Sequence, residues 1–183
     1  MTTDCDVVRG FLGCLMAGTA GSARELLAGM RPTDAGPGIR GVVLELIVSV
    51  VTAGAAPDPR VLLAEARRRG LLDTEHKYQQ FALWLFETYQ HAPVPEAGHY
   101  LRGAVLEGAF RRRVREHAQR LLDAAERAEV TELRAMTELD DDLVDLWQRY
   151  DAATTEPSTA QAEADHRKVP TIAATDQPQG RAA

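Results

Sequence analysis

Lysine is nearly missing from this chain. It occurs only as Lys77 and Lys168, and arginine supplies the rest of the 21 basic residues. A phosphate-binding loop of the form G-x-x-x-x-G-K-S/T needs a Gly-Lys step. Lys77 follows His76 and Lys168 follows Arg167, so that loop, and with it a P-loop ATPase, is excluded. Cysteine is as scarce: Cys5 and Cys14 make neither a disulfide framework nor a zinc site. Apolar runs reach about half the length that a bilayer span needs. The opening Met1-Thr2-Thr3-Asp4 lacks the basic start of a signal peptide, so the expected location is cytoplasmic, with no membrane partner. A basic excess is missing too. Acidic residues number 27 and the net charge is −6, whereas a protein whose main task is holding nucleic acid usually carries a positive balance.

What is present reads as helix. The chain has 183 residues, 45% of them hydrophobic, enough for one or two small domains with a real core. Val7, Val8, Phe11, Leu12, Leu15 and Met16 recur at helical spacing, with Asp4 as a candidate cap and Gly18 and Gly21 as the stop. Ser22 and Glu25 have the spacing of a capping box and predict a helix starting at Ser22. Two prolines and two glycines make residues 31–38 a loop. Ile39 to Ala53 carries Val42, Val43, Leu46, Ile47 and Val50 in the pattern of a buried helix face. Its β-branched content makes a strand the competing reading, and its length and period favour helix. Gly54 is the expected C-terminal cap. Asp58 followed by Pro59 marks the next helix start, and Arg67-Arg68-Arg69 before Gly70 its end. Asp73 is expected to open an aromatic-rich helix, about 74–90, and Pro93 and Pro95 break the chain after it.

A long helix is expected from about Glu96 to Ala128. Val114, Ala118, Leu121, Ala125 and Ala128 step by four and three residues, a coiled-coil-like seam. A turn near Glu129 to Thr131 leads to a last helix, about 132–151, with Leu133, Met136, Leu139, Leu143, Leu146, Trp147 and Tyr150 on one face. The short turn makes the pair an antiparallel hairpin. Its arms have opposite charge: residues 101–120 sum to +4 and residues 121–151 to −7. Arg111-Arg112-Arg113-Val114-Arg115 therefore has two readings. One is a nucleic-acid contact; the other, favoured by the nearby acids, is charge pairing that fixes the hairpin's register. Beyond residue 151, Thr, Ala, Gln, Pro and Glu dominate and disorder is expected.

Catalytic patterns are weak. Glu96 and His99 match one copy of the E-x-x-H di-metal motif, which needs a second copy and two further glutamates. His76, His91, His117 and His166 lack metal-ligand spacing. Cys14 lies in an apolar helix. Asp140, Asp141 and Asp142 on a helix would point about 100° apart and would not converge on one ion. No catalytic residue, metal ligand or cofactor site is expected.

Several local strings, in order, resemble the amino-terminal domain of DnaB-type replicative DNA helicases. Val7-Val8-Arg9-Gly10-Phe11-Leu12-Gly13-Cys14-Leu15-Met16 is similar to that family's first helix. Leu26-Leu27 followed by Arg31-Pro32-Thr33-Asp34 resembles its L-x-P-x-D-F stretch. Pro57-Asp58, Leu62 and Ala66-Arg67-Arg68-Arg69-Gly70-Leu71 resemble its next segment, and Ala92-Pro93 with Tyr100 to Glu107 the stretch before its hairpin. After Asp34 the family usually has Phe-Tyr and a His, where this chain has Ala35, Gly36 and Ile39.

The resemblance implies an all-α fold: a small orthogonal helical bundle, then a long antiparallel hairpin and a disordered tail. The implied units are a head at 4–100, a hairpin at 101–151 and a tail at 152–183. It also implies a collar module with no chemistry of its own and without the RecA-like motor. In that family hairpins pack in pairs, and the collar contacts primase and, in some systems, a loader. Carried onto this chain, the self-association seam is Val114, Ala118, Leu121, Ala125, Leu139, Leu143, Leu146 and Trp147. A projecting two-helix unit cannot bury both of its faces alone, which favours a homodimer or higher assembly. The implied partners are a second copy, a replicative helicase, primase or a helicase loader. The alternative is a nucleic-acid-binding helical regulator using Arg111, Arg112, Arg113 and Arg115.

Overall fold

Four other helices pack against helix α1 (Thr3–Ala17). The computed structural model describes residues 3–137 and 140–155. Val8, Phe11, Leu12 and Leu15 recur every three or four residues along α1, and all four are fully buried. They meet α3 (Ile39–Thr52), α5 (Glu75–Gln90) and α6 (Gly98–Arg127). From α3 come Val43, Leu44, Leu46 and Ile47, from α5 Leu85, and from α6 Val105 and Leu106. The expected helical reading of residues 39–53 holds: its β-branched residues are recruited by burial, which overrides their modest helix propensity. Gly54 closes α3 with φ +84°, a conformation that glycine adopts without steric cost.

Two contacts set how closely the layers approach. A Cβ on Gly13 would lie 2.9 Å from the Thr88 carbonyl oxygen and 3.0 Å from Ala92 Cα, so α1 crosses the end of α5 at backbone distance. α4 (Pro59–Arg68) starts as the sequence predicts, with Asp58 Oδ1 accepting from the Arg60 N–H at 2.7 Å. It buries Leu62 and Ala66 against the core.

Several boundaries differ from expectation, each for a local reason. Asp4 lies inside α1, which begins at Thr3, and does not precede it. α2 (Ala20–Leu27) begins before Ser22 because the Thr19 hydroxyl accepts from the Ser22 N–H at 3.1 Å; Ser22 is the third helical residue, not the cap. Residues 31–38 include a 3-10 turn, Pro32–Ala35, that carries the buried Asp34. Thr74, not Asp73, caps α5, and Asp73 pairs with Lys77 Nζ at 2.8 Å. A second 3-10 turn, Pro95–Ala97, leads into α6.

The returning arm of the hairpin is two helices where one was expected. α7 (Val130–Met136) ends at Thr137, and α8 (Asp141–Thr155) starts afresh. Asp140 Oδ1 accepts from the Asp142 N–H at 3.1 Å, and the Asp140 carbonyl accepts from Leu143 N. The aspartate run therefore caps α8 and meets the positive end of its dipole. α8 also continues to Thr155, past the expected start of the tail at 152. The remainder of that expected tail, 156–183, lies outside the described residues, as does Leu139. Leu146 and Ala153 of α8 belong to the same apolar cluster as α1 and α3.

Candidate interaction surface

α8 runs antiparallel to α6. Thr154 stands beside Gly103, Trp147 beside Phe110, and Asp142 beside Arg113. Its inner side is apolar, through the buried Leu143 and Leu146. Leu146 and Ala153 join the head's apolar cluster, and ionic contacts add to that fastening. Arg149 Nη1 donates to Asp34 Oδ2 at 2.6 Å and to the Gly29 carbonyl at 3.0 Å, while Nε donates to Asp145. Burial works against the Arg149 charge, but the hydrogen bonds to Asp34 and Asp145 outweigh it and raise its pKa. Asp34 also accepts from the Arg31 N–H at 2.6 Å. Arg31 reaches Asp145 at 3.1 Å and Asp142 at 3.8 Å. A cleft of about 550 Å³ opens between the 3-10 turn, α6 and α8, lined by Arg31, Asp34, Arg112, Arg113, Asp142 and Arg149 among others. Its cations and acids alternate and hold one another.

The four arginines read from sequence as a nucleic-acid contact do not share one face. Arg112 Nη2 donates to the Asp34 carbonyl at 2.6 Å, tying α6 to the turn. Arg113 donates to Asp142 at 2.6 Å, a bond that raises its pKa. Arg111 bonds Glu107 one turn earlier. Arg115 is exposed. Further along, Arg120 pairs with Asp140 at 3.1 Å. The Asp140 carboxyl is held below its usual range, first by the Asp142 N–H and then by Arg120.

The seam residues also separate. Leu143 and Leu146 are buried and Leu121 is half-buried. Val114 is 42% exposed and Trp147 49%, and Ala118 and Ala125 are exposed as well. Val114 and Trp147 share one outward cleft, about 460 Å³, with Glu107, Phe110, Arg111, Arg115 and Tyr150. Trp147 is its centre, with ring centroids 5.5 Å from Phe110 and 5.6 Å from Tyr150. A neighbouring hollow continues it along α6 to Gly103 and Tyr100.

Phe110 and Arg149 were not singled out by the sequence pattern, and Asp34 stood out only as the aspartate of the stretch similar to L-x-P-x-D-F. Phe110 carries a signal, four residues before Val114 on the same helix. The pairing of Asp34 with Arg149 carries none, because 115 residues separate them.

Among the described residues no β-strand occurs, no helix is long and apolar enough to cross a membrane, and no cluster of metal-ligating side chains assembles. No family model matches the chain, and no curated protein matches its sequence. A solved structure does. The crystal structure of the N-terminal domain of DnaB helicase from Mycobacterium tuberculosis superposes with a TM-score of 0.60 at 22% identity, covering 78% of this chain and 94% of that one. The fold is thus that of a DnaB amino-terminal domain.

Proposed function

We propose that this protein is a non-catalytic interaction and oligomerisation module of the DnaB amino-terminal type, working in the cytoplasm alongside a DNA replication machinery. It self-associates through the outward side of its hairpin and offers the assembled collar to a replicative helicase, primase or loader. The observation that carries this reading is the exposure of the seam. Val114, Ala118, Ala125 and Trp147 follow an interface spacing on α6 and α8, yet the hairpin's own arms leave them open. An apolar stripe of this length, rimmed by charge, is the signature of a surface that meets another protein.

The head at 4–100 supplies the rigid base and the hairpin at 101–151 the interface. The nucleic-acid reading has less support, because Arg112 and Arg113 spend their donors on Asp34 and Asp142. Affinity capture from the host lysate, with purified helicase and primase as defined baits, tests the replication role. Retention of either on the wild-type chain, and its loss with Trp147→Ala, supports it. No binding to either bait contradicts it.

A further inference from the structure

Glu107 and Tyr150 line both the Trp147 cleft and the hollow beside it, so the two form one groove along α6 and α8. The groove is aromatic along its length: Tyr100, 80% exposed, stands at one end, and Tyr150, Trp147 and Phe110 follow. Thr154, in the last turn of α8, lines the Tyr100 end. The chain beyond Thr155 therefore starts at the mouth of this groove. Residues 156–183 hold two large aliphatic side chains, Val169 and Ile172. Pro170 lies between them, and Arg167 and Lys168 come just before.

We infer that the segment 167–172 of this same chain docks in the groove, with Val169 over Trp147 and Ile172 beyond it. Aromatic-lined grooves take up extended, proline-containing segments, whose backbone is already restricted before binding. The residue before a proline is held to extended backbone. At three residues per turn and about 3.1 Å per residue, Val169 and Ile172 share one face, about 9 Å apart. Val169 over Phe110 and Trp147 then puts Ile172 between Val114 and Ala118, which lie about 6 and 12 Å along α6 from Phe110.

Charge sets the direction. Arg167 and Lys168 precede Val169 directly, and Glu107 precedes Phe110 by one turn. Arg111 bonds Glu107 through Oε1 alone, so Oε2 can accept from a second cation. Reversed, the segment would set its cations beside Arg111 and Arg115. Tethering lets weak contacts suffice. Val169 lies 14 residues after Thr155. A flexible chain of that length spans about 20 Å, against about 10 Å along α6 from Gly103 to Phe110. The linked segment is then present at roughly millimolar effective concentration. The docking stands apart from the self-association reading above. Its effect on assembly rests on that reading, because the segment and a second copy compete for Val114 and Trp147.

Fluorescence of the full chain tests the docking, in a Trp84→Phe background that leaves Trp147 as the reporter, and at a concentration low enough to keep the chain monomeric. Val169→Asp with Ile172→Asp should shift the Trp147 emission to the red and raise its quenching by acrylamide. Arg167→Glu with Lys168→Glu should do the same, and adding Glu107→Arg to that pair should reverse it. At higher concentration each released variant should sediment with a larger dimer fraction than its parent. Emission that neither pair of substitutions changes overturns the docking. If that emission then moves to the blue only as the concentration rises, a second copy is the occupant instead. Released emission in a chain that stays monomeric at every concentration keeps the docking and contradicts self-association.

Discussion

Arg149 Nη1 lies 2.6 Å from Asp34 Oδ2, joining α8 to the turn after α2 across 115 residues of chain. The side chains are 15% and 4% exposed, so this is a largely buried pair. Taking one partner away leaves the other charge desolvated, at a cost of about 3–5 kcal/mol. Asp34→Ala and Arg149→Ala should each lower the urea midpoint markedly. The double variant should recover part of the loss, giving a coupling energy in a double-mutant cycle. Additive losses would mean that the pair does not act as a unit.

The pair also marks where sequence reading stops. α1, α3, α4 and the start of α6 were legible because one buried stripe at 3.6-residue spacing runs through each. The pairing of Asp34 with Arg149 was not, since no local pattern links a loop acid to a helix arginine so far away. The break before α8 was hidden for the opposite reason. Met136, Leu143 and Leu146 keep a spacing compatible with one continuous helix. Only the Asp140 cap reveals the new start. The seam's period was legible too, but period alone does not say that Leu146 turns inward while Val114 stays open.

The Asp140 cap gives a second prediction. Asp140→Ala removes both the acceptor for the Asp142 N–H and the partner of Arg120. Loss of an N-cap aspartate costs about 1 kcal/mol. Amide exchange should speed up in the first turn of α8 and stay unchanged in α1. Unaltered exchange at Leu143 and Val144 would show that the cap is dispensable.

Acid stability should depend on Glu65. Hydrogen bonds from Arg68 and Arg69 lower its pKa from 4.5 to about 2. Because the folded value lies below the unfolded one, the contribution is complete above pH 4.5 and is lost as pH falls toward 2. Glu65→Gln should flatten the stability profile in that window and leave the slope above pH 5 unchanged. An identical acid limb in wild type and variant would exclude this role.

Gly13 is a packing prediction. A methyl group there meets the Thr88 carbonyl oxygen and the Ala92 backbone, neither of which can swing aside. Gly13→Ala should destabilise by about 1–3 kcal/mol, the usual range for overpacking. Gly54→Ala, which meets no neighbour within 4 Å, should act only through its positive φ. A Gly13→Ala variant as stable as wild type would mean that α1 and α5 can separate at no cost.

Sedimentation equilibrium on the full chain tests the central claim most directly. The account predicts a dimer or larger species at micromolar concentration, shifted toward monomer by Val114→Glu or Trp147→Ala without loss of helicity. A wild-type chain that remains monomeric at the highest attainable concentration would contradict it.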